Sequence, residues 1–172
     1  MKQVLNFSMV FCGWWTAILG GNAMALIALF VILMSHFALW RDLRDIFAVL
    51  FFIFAGFIME WLFVINGVLD YGSSLPPAWV ICLWAMLATT LRHSLSFLIA
   101  RPLLAFVAGL VLAPLAYTNS VYFGPAEWGQ PAWQAILILS LCWGALAALV
   151  GGLVVPFLNG LDAGRDPLDT IQ

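Results

Sequence analysis

Charge is what this sequence has least of. Six Lys and Arg with eight Asp and Glu make up 8% of its 172 residues, while 65% are hydrophobic and the mean hydropathy is +1.09. A soluble domain carries roughly 25% charged residues. A water-facing surface is therefore excluded, and the composition specifies a polytopic membrane protein embedded in a lipid bilayer. No basic run or stripe is present, which argues against a nucleic-acid partner. Cysteine is scarce too. Cys12, Cys82 and Cys142 fall in three different apolar runs without a CxxC, which argues against a disulfide framework or a thiolate zinc site and leaves them as small buried residues.

What is there is long apolar sequence. Six stretches, at 4–19, 23–40, 46–66, 78–100, 103–118 and 132–157, approach the ~20 residues that span a ~30 Å hydrocarbon core. The breaks carry turn chemistry: Gly20-Gly21-Asn22, the charged "RDLRD" at 41–45, "DYGSSLPP" at 70–77, Arg101-Pro102 and "NSVYFGPAEWGQP" at 119–131. The expectation is an all-α membrane protein, a single six-helix transmembrane domain over 1–158 with a polar tail at 159–172. Lys2, Arg41, Arg44, Arg101 and Arg165 all fall on loops that share one side, so the positive-inside rule predicts both termini in the cytoplasm. Trp79, Trp128 and Trp133 mark the outer boundary and Trp40 the inner one. Lys2, an apolar run and Ala23-Met24-Ala25 imitate a cleavable leader, but cleavage there would lead at once into another apolar helix.

The stretch "ATTLRHSLSFLIARP" at 88–102 carries the polar residues that lipid does not tolerate. If it is one continuous helix, Thr89, Arg92, His93 and Ser96 share a face at i, i+3, i+4 and i+7. An arginine in mid-membrane costs roughly 2.5–3.5 kcal/mol even on insertion scales, so that face must meet protein or a cavity. Glu60, in "AGFIMEWLF", is the one acid inside an apolar stretch. Counting depth from the helix ends brings Glu60 and Arg92 within about 8 Å of each other in level, and Gly56 leaves open the patch that Glu60 covers. Two readings stay open. The pair either locks helices together or forms part of a ligand-binding site with His93, Thr89, Ser96 and Tyr117. Tyr117 follows Pro114, whose missing N–H frees a carbonyl in helix five. Asn6 is a candidate for hydrogen bonds between helices, and the run Gly144, Ala145, Ala147, Ala148, Gly151, Gly152 for close helix contact or a partner interface. His36 and His93 lie at similar depth, but no HxxxH and no neighbouring carboxylate supports a haem or a metal, so no cofactor and no metal is expected.

Three stretches together resemble a known family: "NFSMVFCGWW" at 6–15, "LPPAWVICLWAMLATTLRHSL" at 75–95 and "GLVLAPLAY" at 109–117. The chain is similar to short bacterial inner-membrane proteins catalogued only as a domain of unknown function. The segment with Pro77, Trp79, Trp84, Thr90, His93 and Ser94 is the most specific part. The resemblance implies a bacterial inner membrane and a multi-helix fold, an acid in helix three that Glu60 fills, and, through genes for cyclopropane-synthase-type enzymes, a link to membrane lipid metabolism. It implies no reaction. The size and topology are also those of vitamin-transporter substrate-binding subunits and of the small membrane subunit of the rod-shape machinery, by fold-level analogy. The expected function is binding of a lipid or small amphipathic molecule in envelope lipid metabolism or transport. An integral enzyme acting on a lipid headgroup, with His93 as base, is the first alternative, weakened by the lack of a nucleophile or metal set. A structural or assembly subunit, with a membrane-protein partner or a second copy, is the other.

Overall fold

Gly21 turns the first apolar run back on itself. Its φ of 65° and ψ of −158° interrupt α1 (Lys2–Trp40), a conformation that a residue without Cβ adopts at no steric cost. Beyond it the chain runs antiparallel to its own start. Lys2 Nζ donates to the Leu39 carbonyl at 3.3 Å, Asn6 meets His36, and Gly13 leaves room for Ile32. The two expected spans at 4–19 and 23–40 are thus the arms of one helical hairpin. The architecture described here is that of a computed structural model, which describes residues 1–160.

The remaining elements are α2 (Arg44–Ile65), β1 (Leu69–Asp70), α3 (Ala78–Leu91), α4 (Ser96–Ile99), α5 (Pro102–Phe123), β2 (Glu127–Trp128), α6 (Ala132–Leu149), a π-helical turn (Val150–Val154) and α7 (Val155–Gly160). Among the described residues four helical stretches are long and apolar enough to cross a membrane, α1, α2, α5 and Ala132–Gly160, and α3 is a shorter apolar helix. The protein is therefore an all-α, multi-pass membrane protein. Large apolar side chains such as Phe54, Leu103 and Phe157 stand exposed, as lipid-facing residues do. Of the expected tail at 159–172, Asn159 and Gly160 close α7, and Arg165 with the rest lies outside the described residues.

Packing divides the molecule into two groups. α3 packs against α1 and α2, and α5 packs against α6. Small residues let α5 and α6 meet: Gly109 of α5 lies against the backbone of Trp143, and Gly144 of α6 against Leu110 and Phe106, a close approach of the kind small residues permit in membranes. Gly151, in the π-helical turn, lies against the Ile99 carbonyl.

Three expectations need correction. The stretch 78–100 is not one helix. α3 ends at Leu91, residues 92–95 form turns, and α4 lasts four residues. Thr90 takes part in the stop: its carbonyl accepts the N–H of both His93 and Leu95. Trp79 does not belong to an outer aromatic belt, because it is buried and its backbone N–H donates to Asn22 Oδ1 at 2.9 Å. Cys12 is exposed rather than buried. The loops that follow α2 and α5 also hold a feature that alternation in the sequence does not reveal. β1 and β2 form a two-residue antiparallel ladder, Leu69 with Trp128 and Asp70 with Glu127. Asp70 Oδ1 accepts the Gly72 N–H at 2.7 Å, and this turn sets Tyr71 over the bundle.

Candidate functional site

Two separate polar centres stand where the sequence suggests one. Asp45, at the first turn of α2, anchors the first. Its Oδ1 accepts from Arg92 Nη1 at 2.8 Å, and its Oδ2 lies 2.9 Å from His36 Nε2 and 2.8 Å from His93 Nε2. Arg92 also pairs with Asp42 at 3.0 Å, which Arg44 holds at 2.6 Å, and its Nε donates to Asn159 Oδ1 at 3.3 Å. Asn6 lies 3.5 Å from His36 Nδ1 and accepts from Ser94 Oγ at 2.7 Å. Trp40 packs over both imidazoles, at 4.9 Å from His36 and 4.6 Å from His93. The Arg44 guanidinium beside Asp42 holds its carboxyl well below the usual carboxylate range, and Arg92 adds to this.

This cluster ties both arms of α1, the start of α2, the break after α3 and the end of α7 into one knot. His36, Asp45 and His93 also offer three metal-ligand atoms within 4.8 Å of one another. The expectation that no carboxylate stands beside either histidine is therefore corrected: Asp45 serves both. A divalent ion there would meet one carboxylate, Asp45, already paired with the Arg92 guanidinium, so its charge would go uncompensated in a poorly hydrated place. Hydrogen bonding accounts for the same atoms. With Ser94 donating to Asn6 Oδ1, the Asn6 amide donates to His36 Nδ1. The His36 proton then sits on Nε2 and is donated to Asp45. His36 is buried inside this network.

Glu60 anchors the second centre, fifteen positions further along α2 and so about 22 Å away along the helix axis. Its carboxyl has no solvent exposure and receives three side-chain donors. Trp84 Nε1 donates to Oε1 at 2.9 Å, the Tyr117 hydroxyl donates to the same oxygen, and the Tyr71 hydroxyl donates to Oε2 at 2.8 Å. Trp143 Nε1 donates to the Tyr117 oxygen at 3.2 Å and stacks on Trp84 with ring centres 4.4 Å apart. Burial pushes the Tyr71 phenol well above its ordinary value, and the neighbouring Glu60 carboxylate adds to this.

The pairing of Glu60 with Arg92 is thus not what the fold makes. A shared level for Glu60 and Arg92 requires residues 92–101 to be helical. Because they fold into turns and α4, Arg92 reaches the beginning of α2 rather than its far half. Thr89 and Ser96 do not join either centre: Thr89 Oγ1 donates to the Met86 carbonyl and Ser96 Oγ to that of His93. Of the six candidate residues, Glu60 and Tyr117 meet in one place and Arg92 and His93 in another. Asp42, Asp45, Tyr71, Trp84 and Trp143 were missed. The two aspartates stand in the charged break at 41–45, Tyr71 in the turn-rich stretch at 70–77, and Trp84 in the segment that carries the family resemblance.

A half-open cavity of about 360 Å³ runs between the two helix groups. Its walls come from the first arm of α1, from α3 and α4, and from α5, α6 and the π-helical turn. Phe11, Leu98, Ala108 and Leu146 are representative, and Glu60 and Tyr117 border one part of it. Arg92, His93 and Asp45 do not line it.

The family described as "Protein of unknown function (DUF2878)" matches residues 3–149, from the first residues of α1 to the end of α6. The chain belongs to this family. The match takes in Glu60 with its three donors and Arg92 with both aspartates, but not Asn159. No curated protein and no solved structure matches the chain.

Proposed function

We propose that this DUF2878 family member crosses a bacterial inner membrane six times, with both termini in the cytoplasm, and binds a lipid or small amphipathic molecule that serves envelope lipid metabolism or transport. The six crossings are the two arms of α1, α2, α3 with α4, α5, and α6 with α7. The ladder between Leu69 and Trp128 supports this count, since it brings the third and fifth loops to one face. The Lys and Arg positions support the orientation.

The observation that carries the ligand reading is the cavity. At about 360 Å³ it lies within the range of about 300–1,000 Å³ found for small-molecule pockets, its walls are nearly all apolar, and a buried acid borders it. An apolar tail with one polar end matches that lining. The enzyme reading has less support, because His93 and Arg92 are both engaged by Asp45 and stand off the cavity wall. A purely structural role fits the Asp45 cluster, whose members satisfy one another, but leaves the cavity without a purpose.

Extraction in a mild detergent followed by native mass spectrometry tests the reading. The wild-type chain should retain lipid or amphiphile, and Ala108→Trp, which fills the cavity, should lose it while keeping the same thermal midpoint within a few degrees. Equal retention by both would remove the cavity as the binding place.

A further inference from the structure

Resting on the cavity reading, we infer that the occupant is the hydrocarbon chain of a bilayer lipid, taken in sideways between the first arm of α1 and α5 and held by its tail alone, whatever its headgroup.

Shape and direction lead there. On α5 the wall of the cavity runs from Ala105 to Ser120, fifteen positions and so about 22 Å. α5 is long and apolar enough to cross a membrane. The cavity is therefore a slot drawn out across most of a ~30 Å hydrocarbon core, in the direction in which acyl chains lie. Its mouth faces lipid. Phe7 and Phe11 on the first arm of α1 and Leu112 on α5 line the slot and are also exposed. The wall thus continues into the lipid-facing surface, and a chain enters without crossing water. A helix of a partner protein does not fit: at about 10–12 Å across it would need several times the volume of about 360 Å³ that the slot offers.

What the wall withholds is polarity. Glu60 takes no part in binding. Its carboxyl has no exposure, Trp84, Tyr117 and Tyr71 donate to it, and Trp143 covers the Trp84 ring. The other polar groups of the wall are engaged locally. Thr90 Oγ1 donates to the Leu87 carbonyl and Ser120 Oγ to that of Ala116, and the Trp143 N–H is taken by the Tyr117 oxygen. Trp14 adds one indole N–H, a single neutral donor. Among the described residues no Lys, Arg or His lines the slot. A phosphate, an amine or a sugar has no matched set of partners there, and burying such a group without partners costs several kcal/mol, so the headgroup stays at the membrane surface. Water fares no better, because a buried water needs about two to four polar partners. An empty slot forfeits the dispersion contacts of its lining. A hydrocarbon chain supplies those contacts and asks for nothing polar.

Photolabelling of the purified full chain in vesicles of phosphatidylcholine and phosphatidylglycerol tests this. A trace of either lipid carries a diazirine midway along one acyl chain or, in a separate probe, on the headgroup, and labelled residues are mapped by mass spectrometry. Both chain probes should label Leu87 on α3 and Leu146 on α6, half-buried residues of the slot, to within about threefold of each other. The headgroup probes should leave these two unlabelled. Ala108→Trp should reduce the chain labelling at least about tenfold, while Phe54 and Phe157, exposed on other helices, label as in the wild type and show that the variant is folded. A larger difference between the two lipids, or labelling of Leu87 and Leu146 by a headgroup probe, would overturn the tail inference and leave the cavity reading standing, and neither comparison needs a variant. Chain labelling that persists in a folded Ala108→Trp would place the chain outside the slot and overturn the inference as well. No labelling of Leu87 or Leu146 by any probe also overturns it. The cavity reading then survives if the chain extracted from cells retains an amphiphile that Ala108→Trp loses, and falls if it does not.

Discussion

The Trp84 indole occupies the space that a side chain on residue 56 would fill. A Cβ on Gly56 would stand 2.4 Å from Trp84 Cδ2 and Cγ, so the glycine on α2 sets where the α3 indole lies and thereby aims its N–H at Glu60, one turn further along α2. Gly56 does not merely clear a patch for Glu60, as its spacing in the sequence suggests. It admits the donor.

Gly56→Ala should therefore act on both stability and the Glu60 centre. Overpacking of this kind costs about 1–3 kcal/mol. A lowered thermal midpoint together with weaker amphiphile retention is the expected result. An unchanged midpoint would mean that Trp84 has another rotamer at no cost.

The two-centre geometry sets a pattern of couplings. Arg92→Leu and Asp45→Leu should be strongly non-additive, by about 0.5–3 kcal/mol, as residues in one network are. Arg92→Leu and Glu60→Leu should add to within about 0.5 kcal/mol, as distant sites do. Double-mutant cycles from denaturant unfolding in mixed micelles measure both. A large coupling between Arg92 and Glu60 would contradict the separation along α2.

Acid should loosen the knot between α2 and the break after α3. The Asp42 carboxyl is held below its usual 3.8, so its contribution to stability is present above that value. It is lost as pH falls through the unfolded value toward the folded one. The thermal midpoint should drop below about pH 4, the ordinary carboxylate range. Asp42→Asn should lie lower at neutral pH and show a shallower acid limb. Parallel acid limbs for the two proteins would assign the loss to other carboxylates.

Fusions give the topology. A cytoplasmic reporter should be active after Arg44 and after Gln172, and a periplasmic one after Ser73 and after Gly129. Ser73 and Gly129 flank the paired strands β1 and β2, so they must report the same side. Opposite signals from these two would break the six-crossing count.

Membrane residence, the apolar runs and their turns were legible in the sequence because each depends on local chemistry. Hydropathy over some twenty residues decides whether a segment leaves water, and Gly20-Gly21 announces a reversal by composition alone. Glu60, Arg92 and His93 also stood out individually, since an ionisable group in an apolar run is conspicuous wherever it ends up. Their partners were not legible. Arg92 reaches Asp45 rather than Glu60 only because α3 stops at Leu91, an event set by Thr90 and the turns beyond it and invisible to helical periodicity. Tyr71 reaches Glu60 from a loop tied down by a strand pair with Trp128, and Trp143 joins through stacking on Trp84. Hydrophobicity fixes how deep a segment goes, whereas the identity of a buried group's partner depends on how helices end, turn and pack against one another, and that only the tertiary structure decides.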